Sequence, residues 1–208
     1  MGLLASRESM SYITLVTGPT VEPLSDADVK LGLRVKTATE SDTVTRLIAA
    51  SRGMAEEYLT RRLINSTWEL VLPRFPGNSD EPLILPYPPL SSVTSVIYRD
   101  TDGTATTWSS SKYTVIDPKG ANAEPGSVVP NNGETYPATQ QRIDAVTVRY
   151  IAGYGSAETD VPKDIQTGMH LLVGHLFQNR EAVATGGGVP KIIPLGVYAL
   201  WDKYISEY

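Results

Sequence analysis

The apolar periodicity of this chain changes twice, and the two changes limit what it can fold into. Val44, Leu47, Ile48, Ser51, Ala55, Tyr58 and Leu59 recur at helical spacing, which marks one face of a long amphipathic helix. At Asn65 the period drops to two. Trp68, Leu70 and Leu72 alternate with Thr67, Glu69 and Val71, the pattern of a strand. The alternation recurs at Val146, Val148 and Tyr150, and after Pro162 the helical period returns with Ile165, Met169, Leu172, Val173, Leu176 and Phe177. Strands enclosed between helices predict an α+β chain: a helical bundle built from both ends, with an inserted antiparallel β-rich subdomain.

Local signals refine this outline. Ser25 reads as a helix cap followed by Asp26 and Asp28, and Gly32 limits that helix to about two turns. A second start is expected at Thr39-Glu40-Ser41-Asp42, and Arg61 and Arg62 close the long helix where cations favour the negative end of its dipole. Leu83-Ile84-Leu85 lies between Pro82 and Pro86, which confines it to a sheet edge or an irregular position. Asp102-Gly103 predicts a two-residue type I′ turn, pairing Thr101 with Thr104 and Ile97 with Trp108. Tyr113 to Ile116 continues the strand pattern. Residues 117–142, rich in proline and glycine, read as loop with one short strand at Val128-Val129. Asp160 is expected to cap the helix that opens at Pro162. Beyond Gly186-Gly187-Gly188, a flexible break, a final amphipathic helix runs from Val197 to Ile205. The expected divisions are a leader (1–21), helical core (22–65), β insert (66–155), helical core (156–185) and a docking segment (186–208).

Composition removes several classes of function. Cysteine is absent from the 208 residues, so disulfide frameworks, Cys-ligated zinc and thiol nucleophiles are excluded together. The net charge is −5, and with no Lys/Arg cluster the chain is a poor candidate for wrapping DNA, whose binding draws on basic residues. No apolar run is long enough to span a membrane. Met1 to Ser6 matches the myristoylation pattern but has no polybasic partner, so it is read as a chance match.

The search for chemistry is negative. His170 and His175 stand about 140° apart around one helix and cannot share a metal; they are expected in a core or an interface. Glu56-Glu57 and the Asp26/Asp28 pair read as solvated charge. No catalytic, cofactor-binding or metal-ligating residue is predicted. Asn179-Arg180-Glu181 is either a charged helix end or an ion pair between subunits. Ile192, Ile193, Leu195, Val197, Leu200, Trp201 and Tyr204 either fold back on the core or dock into a partner.

An ordered set of motifs remains. It comprises Glu22-Pro23-Leu24-Ser25; the helix end Tyr58-Leu59-Thr60-Arg61-Arg62-Leu63; Thr67-Trp68-Glu69-Leu70; and Leu85-Pro86-Tyr87-Pro88-Pro89-Leu90-Ser91-Ser92-Val93. It continues with the Asp-Gly turn, Tyr113-Thr114-Val115, Ala152-Gly153-Tyr154-Gly155, Val161-Pro162 and Asn179-Arg180-Glu181. The order, from Leu24 to Leu200, resembles the phage head–tail connector, or neck adaptor, family; the 117–142 loop and the Trp201-Asp202-Lys203-Tyr204 ending depart from it. The resemblance implies a virion protein assembled in the host cytoplasm, without catalysis, cofactor or membrane. It implies a homo-oligomeric ring of roughly twelve copies below the portal protein. Such a ring extends the DNA channel and offers a platform to stopper or tail-completion proteins, and DNA passes its lumen without specific binding. It further implies that residues 189–208 contact the portal and that Asn179, Arg180 and Glu181 contact a neighbouring subunit. Another neck or tail-completion component, or a virion-associated hydrolase, stays open as an alternative.

Overall fold

The computed structural model describes residues 11–179 and 195–206. The fold is α+β, with N-terminal helices, antiparallel sheets and C-terminal helices. It divides into two compact units, each with its own apolar core.

The helical unit comprises residues 19–65, 120–123, 153–179 and 195–206 among those described. Helix α1 (Asp26–Gly32) is capped by Ser25, whose hydroxyl accepts from the Asp28 N–H. Helix α2 (Ala38–Leu59) begins two residues earlier than the acidic run indicates. Its cap is Thr37, which closes a capping box with Glu40 and satisfies orphan N–H groups at both positions. Helix α3 (Lys163–Gln178) follows Pro162, which stands at its N-cap rather than in its first turn. Asp160 does not cap it; its carboxylate accepts from the Ala157 N–H at 2.9 Å and closes the preceding 3₁₀ turn. Helix α4 (Leu195–Trp201) is followed by a 3₁₀ turn, Asp202–Tyr204, so the expected terminal helix is shorter and tightens at its end. Val44, Ile48, Ala55 and Leu59 of α2 meet Ile165, Met169, Leu172 and Val173 of α3 in the core.

The β unit comprises residues 11–18, 66–119 and 124–152 among those described. Its strands are β1 (Tyr12–Thr17), β2 (Ser66–Leu72), β3 (Leu83–Leu85), β4 (Leu90–Arg99), β5 (Ala105–Thr107), β6 (Tyr113–Ile116), β7 (Gly126–Pro130) and β8 (Val146–Ala152). One sheet has the order β1-β2-β8-β4-β5 and the other β3-β7-β6, all pairs antiparallel. Leu70, Val148 and Val96 lie side by side on the inner face of the larger sheet. They share a core with Leu83, Leu85 and Val128 of the smaller sheet. Phe75 stacks on Tyr136 and meets Trp108 edge-on, closing the core with aromatic area.

Three features differ from the sequence reading. Residues 12–17, inside the expected leader, form an edge strand on β2. The short Val128-Val129 strand is the five-residue centre of the second sheet. The hairpin loop holds three residues, 101–103: Ile97 pairs with Thr107 rather than Trp108, Arg99 with Ala105, and the Asp100 N–H donates to the Thr104 carbonyl at 3.0 Å. Only Gly103 adopts positive φ there, whereas a type I′ turn needs two such residues. The Asp100 carboxylate fixes the longer loop by accepting from the N–H groups of Asp102 and Thr104.

Gly153, at φ 144°, lies against the Ile64–Asn65 backbone, and a Cβ there would come within 2.4 Å of Asn65 N. Gly153→Ala is therefore expected to cost about 2–3 kcal/mol in urea unfolding, combining strain with a backbone clash. Gly32→Ala, where nothing lies within 4 Å, should be neutral or slightly stabilising in the same measurement.

Candidate assembly site at the end of the chain

Helix α4 has seven residues, too few to persist without packing. Its packing is set by Trp201, which is fully buried and donates its indole N–H to the Ile165 carbonyl at 3.2 Å. The indole lies over Gly168 of α3, where a Cβ would stand 2.2 Å from the ring nitrogen. Tyr58 covers the other side, with ring centroids 5.2 Å from Tyr198 and 6.0 Å from Trp201.

Beyond α4 the chain laces back onto the end of α2. Thr60 turns into the left-handed region at φ 54°, and Arg61 follows with 1% of its surface exposed. Its guanidinium donates through Nε to the Tyr204 carbonyl and through Nη1 to the Ala123 carbonyl at 2.6 Å. Tyr154, beside this guanidinium, donates its hydroxyl to the Ala121 carbonyl at 2.6 Å. The Ser206 N–H donates to the Leu59 carbonyl at 3.0 Å, which satisfies one free acceptor at the end of α2.

Charged contacts frame the site. Lys203 pairs with Asp164, and the Tyr204 hydroxyl donates to the same carboxylate at 3.3 Å. Lys203 holds the Asp164 carboxyl below its ordinary range. The Tyr58 hydroxyl donates to Asp202 at 2.5 Å, and this bond, helped by desolvation, pushes its ionisation up to about 12. Burial raises Tyr154 to about 12 as well.

The expected contact residues separate. Val197, Trp201 and Tyr204 are buried in the helical core, and Leu200 packs partly against it. Leu195 opens α4, while Ile192 and Ile193 fall outside the described residues. Asn179 ends α3, where its amide donates to the His175 carbonyl at 2.8 Å; Arg180 and Glu181 fall outside the described residues. His170 is exposed and His175 half-buried, so the expected core position does not hold for His170. Glu56 is not solvated. It is 8% exposed, accepts from the Leu63 N–H at 3.0 Å and pairs with Arg52, which also holds Glu22.

The sequence reading missed Arg61 as a clamp, Gly168 as the seat of Trp201, and Gln166, whose amide donates to the Pro23 and Glu158 carbonyls. A signal existed for Arg61, since it precedes the apolar Leu63-Ile64 directly after a helix end. Among the described residues, no group of three or more His, Asp or Glu could hold a metal ion.

No family model matches the chain, and no curated protein matches it by sequence. Solved structures do. A chain from the neck of an empty gene transfer agent (GTA) particle, computed with C6 symmetry, superimposes with a TM-score of 0.75 at 20% identity. That likeness covers 95% of this chain and 96% of the other. A chain of the native GTA virion gives 0.73 at 20% identity, covering 94% and 96%. One from the native GTA neck, computed with C12 symmetry, gives 0.69 at 19%, covering 95% and 96%. The fold is that of GTA neck chains.

Arg61→Ala is expected to lower the free energy of unfolding by about 3 kcal/mol, because it strands buried carbonyls; Arg61→Lys should recover less than half, lacking the planar fork. Because folding raises the ionisation of Tyr58 and Tyr154, their contribution is complete below pH 10 and lost as the pH climbs towards about 12. Alkaline unfolding followed through that window should lose part of its slope in Tyr58→Phe.

Proposed function

We propose that this chain is a neck adaptor of a tailed-phage or phage-like particle. In this reading, copies form a ring below the portal, extend the DNA channel and offer a platform to stopper or tail proteins. The observation that carries the reading is the nearly full-length likeness to neck chains, covering 95% of this chain. Similarity over both units, at equivalent length, fits a shared role better than a borrowed domain does. The ordered motifs from Leu24 to Leu200 support the same assignment independently.

The charge balance agrees with a conduit. At a net charge of −5 the protein gains little from neutralising phosphates, so DNA can slide past it. The purified chain should retain no duplex DNA at physiological salt in a gel-shift measurement.

In this proposal residues 189–208 carry the portal contact, and Asn179, Arg180 and Glu181 a contact between subunits. Val197, Trp201 and Tyr204, which are buried in the helical core, serve as the anchor of that segment. Ile192 and Ile193, with Leu195 and Leu200, supply the contact itself. Deleting the whole segment is therefore a poor test, since it also strips core side chains. The double substitution Ile192→Asp, Ile193→Asp is expected to abolish attachment to portal-bearing, DNA-filled heads while leaving the thermal unfolding midpoint unchanged. Normal neck occupancy by this variant in electron micrographs would sink the docking assignment. Trp201→Ala should instead cost about 4 kcal/mol of stability, as expected for an emptied aromatic site.

A further inference from the structure

The 117–142 region carries the only Asn-Gly pair of the sequence, Asn132-Gly133. Both residues are exposed. They form the middle of a turn from Asn131 to Glu134, closed by the Glu134 N–H donating to the Asn131 carbonyl at 2.8 Å. Gly133 has φ 81° while Asn132 stays outside the positive range, the pattern of a type II turn, whose third position favours glycine. A Cβ on Gly133 would meet nothing within 4 Å, so the space around the pair is open.

The flanks of this turn are tied down. The Asn131 N–H donates to the Lys112 carbonyl at 3.0 Å and its side-chain amide to the Ser111 carbonyl at 2.9 Å. The Asn131 side-chain oxygen accepts from the Thr114 hydroxyl at 2.6 Å, and Glu134 pairs with Lys112 at 3.3 Å. Between them, the Asn132 carboxamide and the Gly133 N–H have no hydrogen-bond partner among the described residues. A carboxamide and the next backbone nitrogen are reactants within one molecule, and a nitrogen followed by no side chain is the easiest to bring onto the carboxamide carbon.

We propose that Asn132-Gly133 is a site of self-modification, in which the Gly133 nitrogen attacks Cγ of Asn132. The nitrogen gives up its proton, a C–N bond forms, and the Cγ–Nδ2 bond breaks with release of ammonia, leaving a cyclic succinimide. Water then opens the ring. Addition at Cγ breaks the new C–N bond and gives aspartate; addition at the backbone carbonyl breaks the original peptide bond and gives isoaspartate. Water is the only co-reactant, and nothing is oxidised or reduced. Either product puts a carboxylate beside the Glu134–Lys112 pair, and isoaspartate lengthens the turn by one main-chain carbon.

The comparable positions each carry a brake. Asn131 has to release both of its side-chain bonds first. At Asp102-Gly103, where the same ring could form, the Gly103 N–H is donated to the Asp100 carbonyl at 3.0 Å. After Asn122, the Ala123 N–H is donated to the Gly120 carbonyl at 3.2 Å. Asn65 and Asn179 use their amides on Ser156 and on the His175 carbonyl. Asn78 has no such bond, but Ser79 follows it and its side chain crowds the attack.

The test incubates the full folded chain at mildly alkaline pH in water enriched in the heavy oxygen isotope, with sites assigned by mass-spectrometric sequencing of peptides. Asn132 should convert about tenfold faster than Asn131, where two hydrogen bonds break first, and ahead of Asn78. Each converted Asn132 should hold one solvent oxygen, and an isoaspartyl methyltransferase should label part of the product. Asn132→Gln, whose longer side chain closes a less favourable ring, should lose the product with circular dichroism unchanged. Aspartate with no methyl labelling means direct hydrolysis and overturns the proposal. So does an Asn132 that stays intact in the folded chain while it converts in urea, or conversion of Asn131 or Asn78 at the same rate.

Discussion

The helical unit depends on one buried guanidinium. Arg61 follows the left-handed turn at Thr60 and gathers carbonyls from Tyr204 and Ala123, which are far from it and from each other in sequence. Each of those carbonyls would be costly to bury without a donor. The guanidinium is suited to the task because its planar fork can donate in several fixed directions at once. The order of the chain's end follows from it: the 3₁₀ turn is held through its Tyr204 carbonyl, and Ser206 reaches the Leu59 carbonyl beside it. Trp201 then has a fixed seat over Gly168 rather than a choice of positions.

That arrangement changes the physical character of the proposed portal contact. In the sequence, the apolar segment beyond three glycines either folds back on the core or docks into a partner. In the structure α3 and α4 are both packed into the helical core. A contact made by Ile192 and Ile193 would be anchored by buried Val197 and Trp201, which hold α4 in place without touching the partner.

The element order was legible because it rests on periodicity, and the two period changes mark real boundaries. Details set by single side chains were less so. Thr37 caps α2 in preference to the acidic run after it, because Glu40 can return the bond to the Thr37 backbone. The Asp-Gly signal located the hairpin but not its length, which the Asp100 carboxylate decides. β1 was hidden because its apolar residues sit at an edge, where alternation does not separate buried from exposed. The place of Arg61 after a helix end was a signal, but its partners Tyr204 and Ala123, like the Pro23 partner of Gln166, are distant in sequence, and periodicity carries no information about such partners.

The apolar clusters of the helical and β units share no residue. In a ring that sits on a portal, subunit contacts and portal contacts reinforce one another: each copy seated on the portal raises the local concentration of its neighbours. A contact that joins copies and a chain end that seats them on the portal would therefore be coupled through the ring.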